Sequence, residues 1–123
     1  MNGLKQEILF KHNKDKKYIS LQIDGKEEGL ISWEVFTEKK VLEIHMIYVE
    51  VKFQRKGYGT KLIYEMLKKY PNYESVYLHT AATNSNAIKF YLNAGFEFIF
   101  RYQNFYNLER DALFLIKKLK TYE

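Results

Sequence analysis

Apolar and polar residues alternate along the first part of the chain. The segment Tyr18–Ile23 has the period of two that is typical of a half-buried β-strand. Asp24-Gly25 follows it and favours a tight hairpin turn, because glycine adopts positive φ without steric cost. Leu30–Phe36 and Val41–Val51 are rich in β-branched and aromatic residues and predict two further strands. The first half of the chain therefore predicts an antiparallel meander, in which the polar residues 37–40 form a turn.

The hydrophobic period becomes helical further along the chain. One face of a predicted helix carries Leu62, Ile63, Met66, Leu67 and Tyr70, and Pro71 is expected to end it. A second predicted helix carries Ala87, Ile88, Tyr91 and Ala94, with Asn84 or Ser85 as its N-cap and Gly95 at its end. The segment 76–80 predicts a short buried strand between the two helices, and 96–102 and 113–118 predict two final strands.

The predicted element order is β-β-β-α-β-α-β-β, with a further strand near Ile8. This order predicts an α/β (α+β) fold with one mixed, mostly antiparallel sheet flanked by helices. A chain of 123 residues has the usual size of one domain, so residues 1–123 are expected to form a single domain.

Composition and charge narrow the function classes. The chain has no cysteine, which excludes a disulfide framework and a cysteine nucleophile, and with three histidines we expect no metal site. No apolar stretch has the length of a signal peptide or of a membrane span, so we expect a cytoplasmic protein without a membrane partner. The net charge is +5, and residues 52–70 hold six cations against one acid, which suggests an anionic partner or a solvated helix face.

The connection between the third strand and the first helix carries the clearest chemistry. Glycines at 57 and 59 follow Arg55 and Lys56 at the start of the helix. The first N–H groups of a helix have no backbone partner, and glycines let an anion come close to them. The spacing fits neither the G-x-x-x-x-G-K-[ST] phosphate loop nor the dinucleotide fingerprint, whose third glycine position is Leu62 here. The segment predicts a phosphate-binding loop of another kind.

Two motifs in this order resemble those of the GNAT family of N-acetyltransferases. The first is Q-x-x-G-x-G at Gln54, Gly57 and Gly59, which is similar to the family's pyrophosphate loop. The second is N-x-x-A-x-x-x-Y-x-x-x-G-F, which begins at Asn84 and ends at Phe96. A helix and a strand are predicted between them, as in the family. The resemblance covers the chain from about Tyr18 to its end.

The resemblance implies a GNAT fold in which two parallel strands splay apart and form an acetyl-CoA cleft. The pyrophosphate of acetyl-CoA would then meet the side chain of Gln54 and the loop residues Arg55, Lys56, Gly57, Tyr58, Gly59 and Thr60. The pantetheine would pair with the main chain from Ile47 through Val49 to Val51, and Asn84 matches the family position that binds the pantetheine arm. Lys89 is a weaker candidate for a phosphate contact.

The family's reaction implies a general acid and a general base. Tyr91 matches the tyrosine that acts as general acid toward the CoA sulfur. Glu43 stands six residues before Val49, the offset of the base in the histone-acetylating branch. His45, with its convenient unperturbed pKa, is the alternative base, and water without a side-chain base is a third possibility. His79, at the end of a predicted strand, is a weaker candidate for a catalytic residue.

The chain departs from the family before Tyr18. The helices that usually wall the acceptor side are expected to be missing, so the acceptor site is either open or covered by a second subunit in a homodimer. The expected function is acetyl transfer to a primary amine, on a small molecule or on a protein or peptide, by direct attack in a ternary complex. The alternatives are a non-catalytic acetyl-CoA-binding regulatory module and a basic nucleic-acid-binding domain; nucleic acid is the less expected partner, because no recognised nucleic-acid motif is present.

Overall fold

The computed structural model describes residues 5–13, 15–107 and 109–119. The strands are β1 (Ile8–His12), β2 (Tyr18–Ile23), β3 (Lys26–Phe36), β4 (Val41–Val49), β5 (Ser75–Ala81), β6 (Glu97–Asn107) and β7 (Arg110–Lys118). The helices are α1 (Tyr58–Leu67) and α2 (Ser85–Asn93), and a short 3-10 helix covers Val51–Phe53.

The seven strands form one sheet in the order β1-β2-β3-β4-β5-β7-β6. β4 and β5 are parallel, whereas β1 with β2, β2 with β3, β5 with β7 and β6 with β7 are antiparallel. This confirms the predicted mixed sheet with two helices. In the described stretches 5–13 and 15–57 no α-helix precedes α1, in agreement with the expected lack of N-terminal helices. No helix in the described part of the chain has the length and apolarity needed to cross a membrane.

Residue contacts divide the described chain into two compact units, and the first contains the residues up to Glu34 together with Ile44–Pro71. Asp24 (φ 53°) and Gly25 (φ 81°) form the predicted turn between β2 and β3, where Ile23 pairs with Lys26. The buried core of the first unit contains Ile19, Leu21, Ile23, Ile31, Trp33, Ile44, Phe53, Tyr58, Leu62, Ile63 and Met66. The apolar face predicted for α1 is therefore the face that packs into this core.

Three predicted boundaries in the first unit are wrong. β3 begins at Lys26, four residues before the predicted start at Leu30. α1 ends at Leu67, so Tyr70 lies beyond it and instead accepts a hydrogen bond from the indole N–H of Trp33 at 2.8 Å. β4 ends at Val49, and Val51 begins the 3-10 helix with 81% of its surface exposed. The chain turns there because Phe53 is buried against the ring of Tyr58, with centroids 6.4 Å apart.

The second unit contains Val35–Glu43 and the described residues from Asn72 onward. β5 pairs with β7 over its whole length, and Val41–Glu43 pairs in parallel with Ser75–Tyr77. The buried residues of this unit are Leu42, Val76, Leu78, Tyr91, Phe96, Ala112 and Leu115. The side-chain oxygen of Asn84 accepts the N–H of Ala87 at 3.1 Å, which confirms the predicted cap of α2.

The last two strands form a longer hairpin than the sequence predicted. For Phe100, Tyr102, Phe105 and Tyr106 the sequence favoured packing in the core, with the last hairpin or an acceptor pocket as the alternatives. The structure leaves Phe100, Tyr102 and Phe105 between 38% and 52% exposed. They cluster on the hairpin around Phe114 instead; the Phe100 and Phe114 rings stack with centroids 4.6 Å apart.

Candidate functional site

The connection to α1, residues Gln54–Thr60, has the backbone geometry expected of an anion-binding loop, and we call it the anion cradle. Arg55 (φ 62°) and Gly57 (φ 86°) both adopt the left-handed conformation, and Gly57 is the N-cap of α1. No side chain caps this helix, and its first turn begins with the bond from the Lys61 N–H to the Gly57 carbonyl at 3.0 Å. The N–H groups of residues 58–60 therefore have no partner within the helix.

The space above the cradle is open. A Cβ built on Gly57 would have no heavy atom within 4 Å, so the backbone is accessible at this point. Arg55 and Lys56 are exposed at its rim, and the Lys56 Nζ lies 5.7 Å from the centroid of the Phe53 ring. Successive backbone N–H groups in a left-handed turn next to a helix N-terminus bind phosphate groups well.

Gln54 has a different local role from the one predicted. Its side-chain amide donates a hydrogen bond to the main-chain carbonyl of Val49 at 2.8 Å. This bond ties the start of the cradle to the end of β4. Gln54 therefore positions the cradle in this structure, and a phosphate contact from its side chain stays a prediction.

Tyr91 lies in the last turn of α2 and is buried, with 9% of its surface exposed. Its ring packs edge-on against Phe90 and Phe96 at centroid distances of 5.4 and 5.7 Å. Burial, followed by the nearby Tyr106, raises the pKa of Tyr91 to about 12. Its hydroxyl makes no hydrogen bond to any other described residue, so its donor is free. The raised pKa keeps this hydroxyl protonated at neutral pH.

His79 is the centre of a cluster that the sequence did not single out. Its Nδ1 lies 2.8 Å from the Tyr106 hydroxyl, and its Nε2 lies 4.0 Å from a carboxylate oxygen of Glu43. The ring also contacts Phe105 and Phe114, with centroids 4.9 and 5.1 Å away. His79 and Glu43 are both partly buried, with side chains 31% and 17% exposed. A half-buried imidazole beside a carboxylate can accept and pass on a proton.

His45, the alternative base, has a more open environment. Its Nε2 lies 3.2 Å from a carboxylate oxygen of Glu34, and both side chains are about half exposed, at 48% and 50%. An exposed ion pair of this kind contributes little and is typical of a solvated strand. The side chain of His45 is thus more exposed than those of Glu43 and His79.

The remaining predicted residues lie on three elements. Ile47 and Val49 are half-buried on β4, and the exposed Val51 lies beyond that strand. Asn84 caps α2 through its side-chain oxygen, which leaves its amide N–H groups as donors. Lys89 is exposed on the same helix.

A family model described as "Acetyltransferase (GNAT) family" matches residues 3–96. The chain is 35% identical over 74 residues to N-alpha-acetyltransferase 50 of Danio rerio. This match covers 56% of this chain and 44% of that protein. It is 33% identical over 96 residues to an N-acetyltransferase of Methanocaldococcus jannaschii, which covers 72% of this chain and 42% of that protein. The chain thus spans less than half the length of these curated relatives.

A solved GNAT family acetyltransferase from Elizabethkingia anophelis, with acetyl-CoA bound, has the same fold. Its TM-score to this chain is 0.71 at 21% identity, covering 83% of this chain and 75% of that one. With a family model matched over more than half its length, the chain belongs to the GNAT acetyltransferase family. The resemblance of the two sequence motifs to the GNAT family is therefore confirmed.

Proposed function

We propose that this protein is an acetyl-CoA-dependent N-acetyltransferase that moves an acetyl group to a primary amine by direct attack in a ternary complex. The observation that carries the proposal is the anion cradle, where an uncapped helix N-terminus follows two left-handed residues. Family membership and the acetyl-CoA held by the Elizabethkingia relative support the same ligand.

The cradle would hold the pyrophosphate of acetyl-CoA. The backbone N–H groups from Arg55 to Thr60 would donate to its oxygens, and the exposed Lys56 and Arg55 would add charge. Glycine at 57 leaves the room that such an approach needs. The bond from Gln54 to Val49 would keep the cradle in place before the ligand arrives, which lowers the ordering cost of binding.

The rest of the ligand would follow β4. The main chain at Ile47, Val49 and Val51 would pair with the pantetheine, and Asn84 would donate its side-chain amide to the same arm. Lys89 would add a weaker phosphate contact. These assignments come from the family's motifs alone, and Val51 lies beyond the end of β4.

The acceptor amine must lose a proton before it attacks, because an alkylammonium has a pKa near ~10.4. We assign proton removal to Glu43 acting with His79, directly or through water, because the two side chains face each other and are partly buried. Tyr106 would hold the imidazole in place through the contact at His79 Nδ1. His45 is the alternative base.

The thioester supplies an activated acetyl group and a thiolate leaving group. We assign the donor to that thiolate to Tyr91, whose buried hydroxyl keeps its proton because its pKa is about 12. A thiol has a pKa near ~8.5, so full transfer from Tyr91 is uphill, and the hydroxyl would act mainly by donating a hydrogen bond to the developing charge.

Calorimetric titration with acetyl-CoA tests the proposal, with Gly57→Glu as the disabling change. Gly25→Glu is the matched control, since Gly25 (φ 81°) has the same left-handed backbone and also no heavy atom within 4 Å. We expect micromolar binding to wild type and to Gly25→Glu, and none to Gly57→Glu. Equal binding by both variants would contradict the cradle. Binding without turnover on a broad panel of amines would instead indicate a regulatory module.

A homodimer that covers the acceptor side is a further prediction of the sequence. Equilibrium sedimentation at micromolar concentration tests it with and without acetyl-CoA. A strict monomer in both states contradicts it, and a mass of twice 14.8 kDa supports it.

A further inference from the structure

The first unit brings together lysines that are far apart in the sequence. The carbonyl of Lys17 accepts the backbone N–H of Trp33 at 3.1 Å, and the Lys69 Nζ lies 5.5 Å from the centroid of the Trp33 ring. On β1, the His12 Nε2 lies 3.1 Å from a carboxylate oxygen of Glu65 on α1, a residue 53 positions away. The start of β2 and the end of α1 are therefore neighbours in the fold.

The outer side of α1 continues this basic surface. Lys61, Tyr64 and Lys68 are exposed and lie three and four residues apart, so they share one face of the helix. Lys61 and Lys68 are roughly 10 Å apart along the helix axis, and Tyr64, which is 63% exposed, lies between them. We call the residues Lys17, Lys61, Tyr64, Lys68 and Lys69 the basic face.

Most of the charge on the basic face is uncompensated. Lys61 and Lys69 each lie over an aromatic ring, with the Nζ 5.6 and 5.5 Å from the ring centroid. A ring orients an ammonium group without neutralising it. Among the residues that the structure describes, no carboxylate lies within 4 Å of the ammonium groups of Lys17, Lys61 and Lys69, whereas Glu65 pairs with Lys68 at 2.6 Å. Three lysines thus keep their charge for a partner.

We propose that the basic face binds single-stranded nucleic acid, with phosphates on Lys17, Lys61 and Lys69 and a base stacked on Tyr64. Charge complementarity supports a polyanion, because residues 52–70 hold six cations against one acid and the fold adds Lys17 to them. The inference goes beyond acetyl transfer and does not require it.

The exposed ring favours a single strand over a duplex. A ring between two cations suits a chain in which every nucleotide has a phosphate and a base with a free face. The bases of a duplex are stacked on one another, so Tyr64 would have no free base to contact. The basic face therefore fits unpaired nucleotides better than paired ones.

Fluorescence anisotropy with a labelled oligouridine of about 12 nucleotides tests the proposal. Contacts from three lysines predict that the logarithm of the binding constant falls with the logarithm of salt concentration with a slope of about −2. Joint replacement of these lysines by glutamine should weaken binding about 100-fold at about 0.1 M salt and remove that slope. The variant carries K17Q, K61Q and K69Q. No binding by wild type, or a flat salt dependence, overturns the proposal.

A matched control separates the basic face from net charge. It removes the same number of charges from exposed lysines of the second unit, with the substitutions K39Q, K40Q and K118Q. We expect this control to bind oligouridine like wild type. Equal weakening of the two triple variants would mean that net charge alone attracts the oligonucleotide, which overturns the proposal.

Substitutions of Tyr64 separate stacking from charge. Tyr64→Ala should weaken binding about tenfold, because it removes the ring on which a base stacks. Tyr64→Phe keeps a ring and should bind like wild type, whereas Tyr64→Leu keeps the size without the ring and should behave like Tyr64→Ala. Neither charge nor a buried contact changes in these variants. Full affinity of Tyr64→Ala, or an equal loss in Tyr64→Phe, overturns the proposal.

Two further comparisons locate the site and identify the strand. Gly57→Glu changes the anion cradle and leaves the basic face intact, so oligouridine affinity should stay within about threefold of wild type. A loss as large as that of the lysine variant places the oligonucleotide in the cradle and overturns the proposal. Oligothymidine of the same length tells DNA from RNA as the source. Tighter binding to a duplex, or to vesicles of anionic lipid, also overturns the proposal.

Discussion

The backbone N–H of Phe96 donates a hydrogen bond to the carbonyl of Tyr91 at 3.0 Å, and the two rings pack with centroids 5.7 Å apart. Gly95 donates to the Leu92 carbonyl at 3.1 Å and has φ 96°. Together these contacts form a Schellman motif, in which a left-handed glycine ends a helix and an apolar pair closes it. The Y-x-x-x-G-F part of the second motif is therefore a helix ending, and it fixes where the Tyr91 side chain lies.

Gly95→Ala should destabilise the second unit. A Cβ at this position would lie 2.5 Å from the Lys117 Nζ, which donates to the Ala94 carbonyl at 2.7 Å, and the left-handed backbone adds strain. We expect a loss of about 1–3 kcal/mol in the free energy of unfolding, measured by urea denaturation. Gly25→Ala has the same left-handed strain without the collision, and should cost less. Equal losses for the two variants would show that Lys117 moves away freely.

Tyr91→Phe should reduce the loss of folding stability that wild type shows as pH rises above 10. The pKa of Tyr91 is about 12 in the folded chain and near 10 when unfolded, so the stability from its buried neutral ring is present below pH 10 and is lost as pH rises through 12. Two pKa units correspond to a maximum of about 3 kcal/mol. Denaturation measured between pH 9 and 12 should show a shallower decline for Tyr91→Phe. Tyr64→Phe, on the exposed face of α1, serves as control; if it flattens the decline equally, burial of Tyr91 is not the cause.

His79→Gln should reduce kcat/KM for the acceptor amine by about 100-fold or more, because a positioned general base contributes 10²–10⁴ in rate. Glu43→Gln should have a comparable effect, since its carboxylate lies 4.0 Å from the His79 Nε2. His45→Gln, which changes an exposed histidine paired with Glu34, is the matched control and should retain activity. Retained activity in His79→Gln and its loss in His45→Gln would reverse the assignment.

Asp111→Asn should loosen the hairpin of β6 and β7. The Asp111 carboxylate accepts the backbone N–H of Asn104 at 2.9 Å and the Nε of Arg101 at 2.7 Å, and these two donors hold the pKa of Asp111 below its ordinary value. The stabilisation is therefore present above the unfolded pKa near ~3.9 and is lost as pH falls below it. The protection factor of the Asn104 amide, which corrects for the intrinsic exchange rate at each pH, should fall in wild type at low pH and in Asp111→Asn already at neutral pH. Unchanged exchange in the variant at pH 7 would contradict this account.

Local signals were sufficient for much of the fold. The Asp24-Gly25 turn, the cap at Asn84 and the end of α2 at Gly95 each depend on a few consecutive residues, and each was predicted correctly. The phosphate-binding role of the cradle was inferred from glycine spacing and helix polarity and stays a prediction, although Arg55 and Gly57 are left-handed as a tight loop requires. Such features need no knowledge of distant parts of the chain.

Features that depend on strand register escaped the sequence. Glu43 meets His79 because β4 pairs in parallel with β5, with Glu43 opposite Tyr77, and no local pattern encodes that register. A β-bulge at Glu28 in β3 also escaped, since one extra residue breaks the period of two only once. The length of the last hairpin was also missed, since the predicted strand stopped at Tyr102 whereas β6 continues to Asn107.

The exposed aromatic surface of β6 has a consequence for handling the protein at high concentration. β6 stands at the end of the strand order, ten of its eleven residues are exposed, and it contains neither lysine nor proline. Natural proteins usually protect an edge strand with such residues, because unpaired backbone groups there can recruit strands from other molecules. Solubility of the purified chain should thus be limited by this edge, and single lysines at Phe98 or Ile99 offer a direct way to raise it.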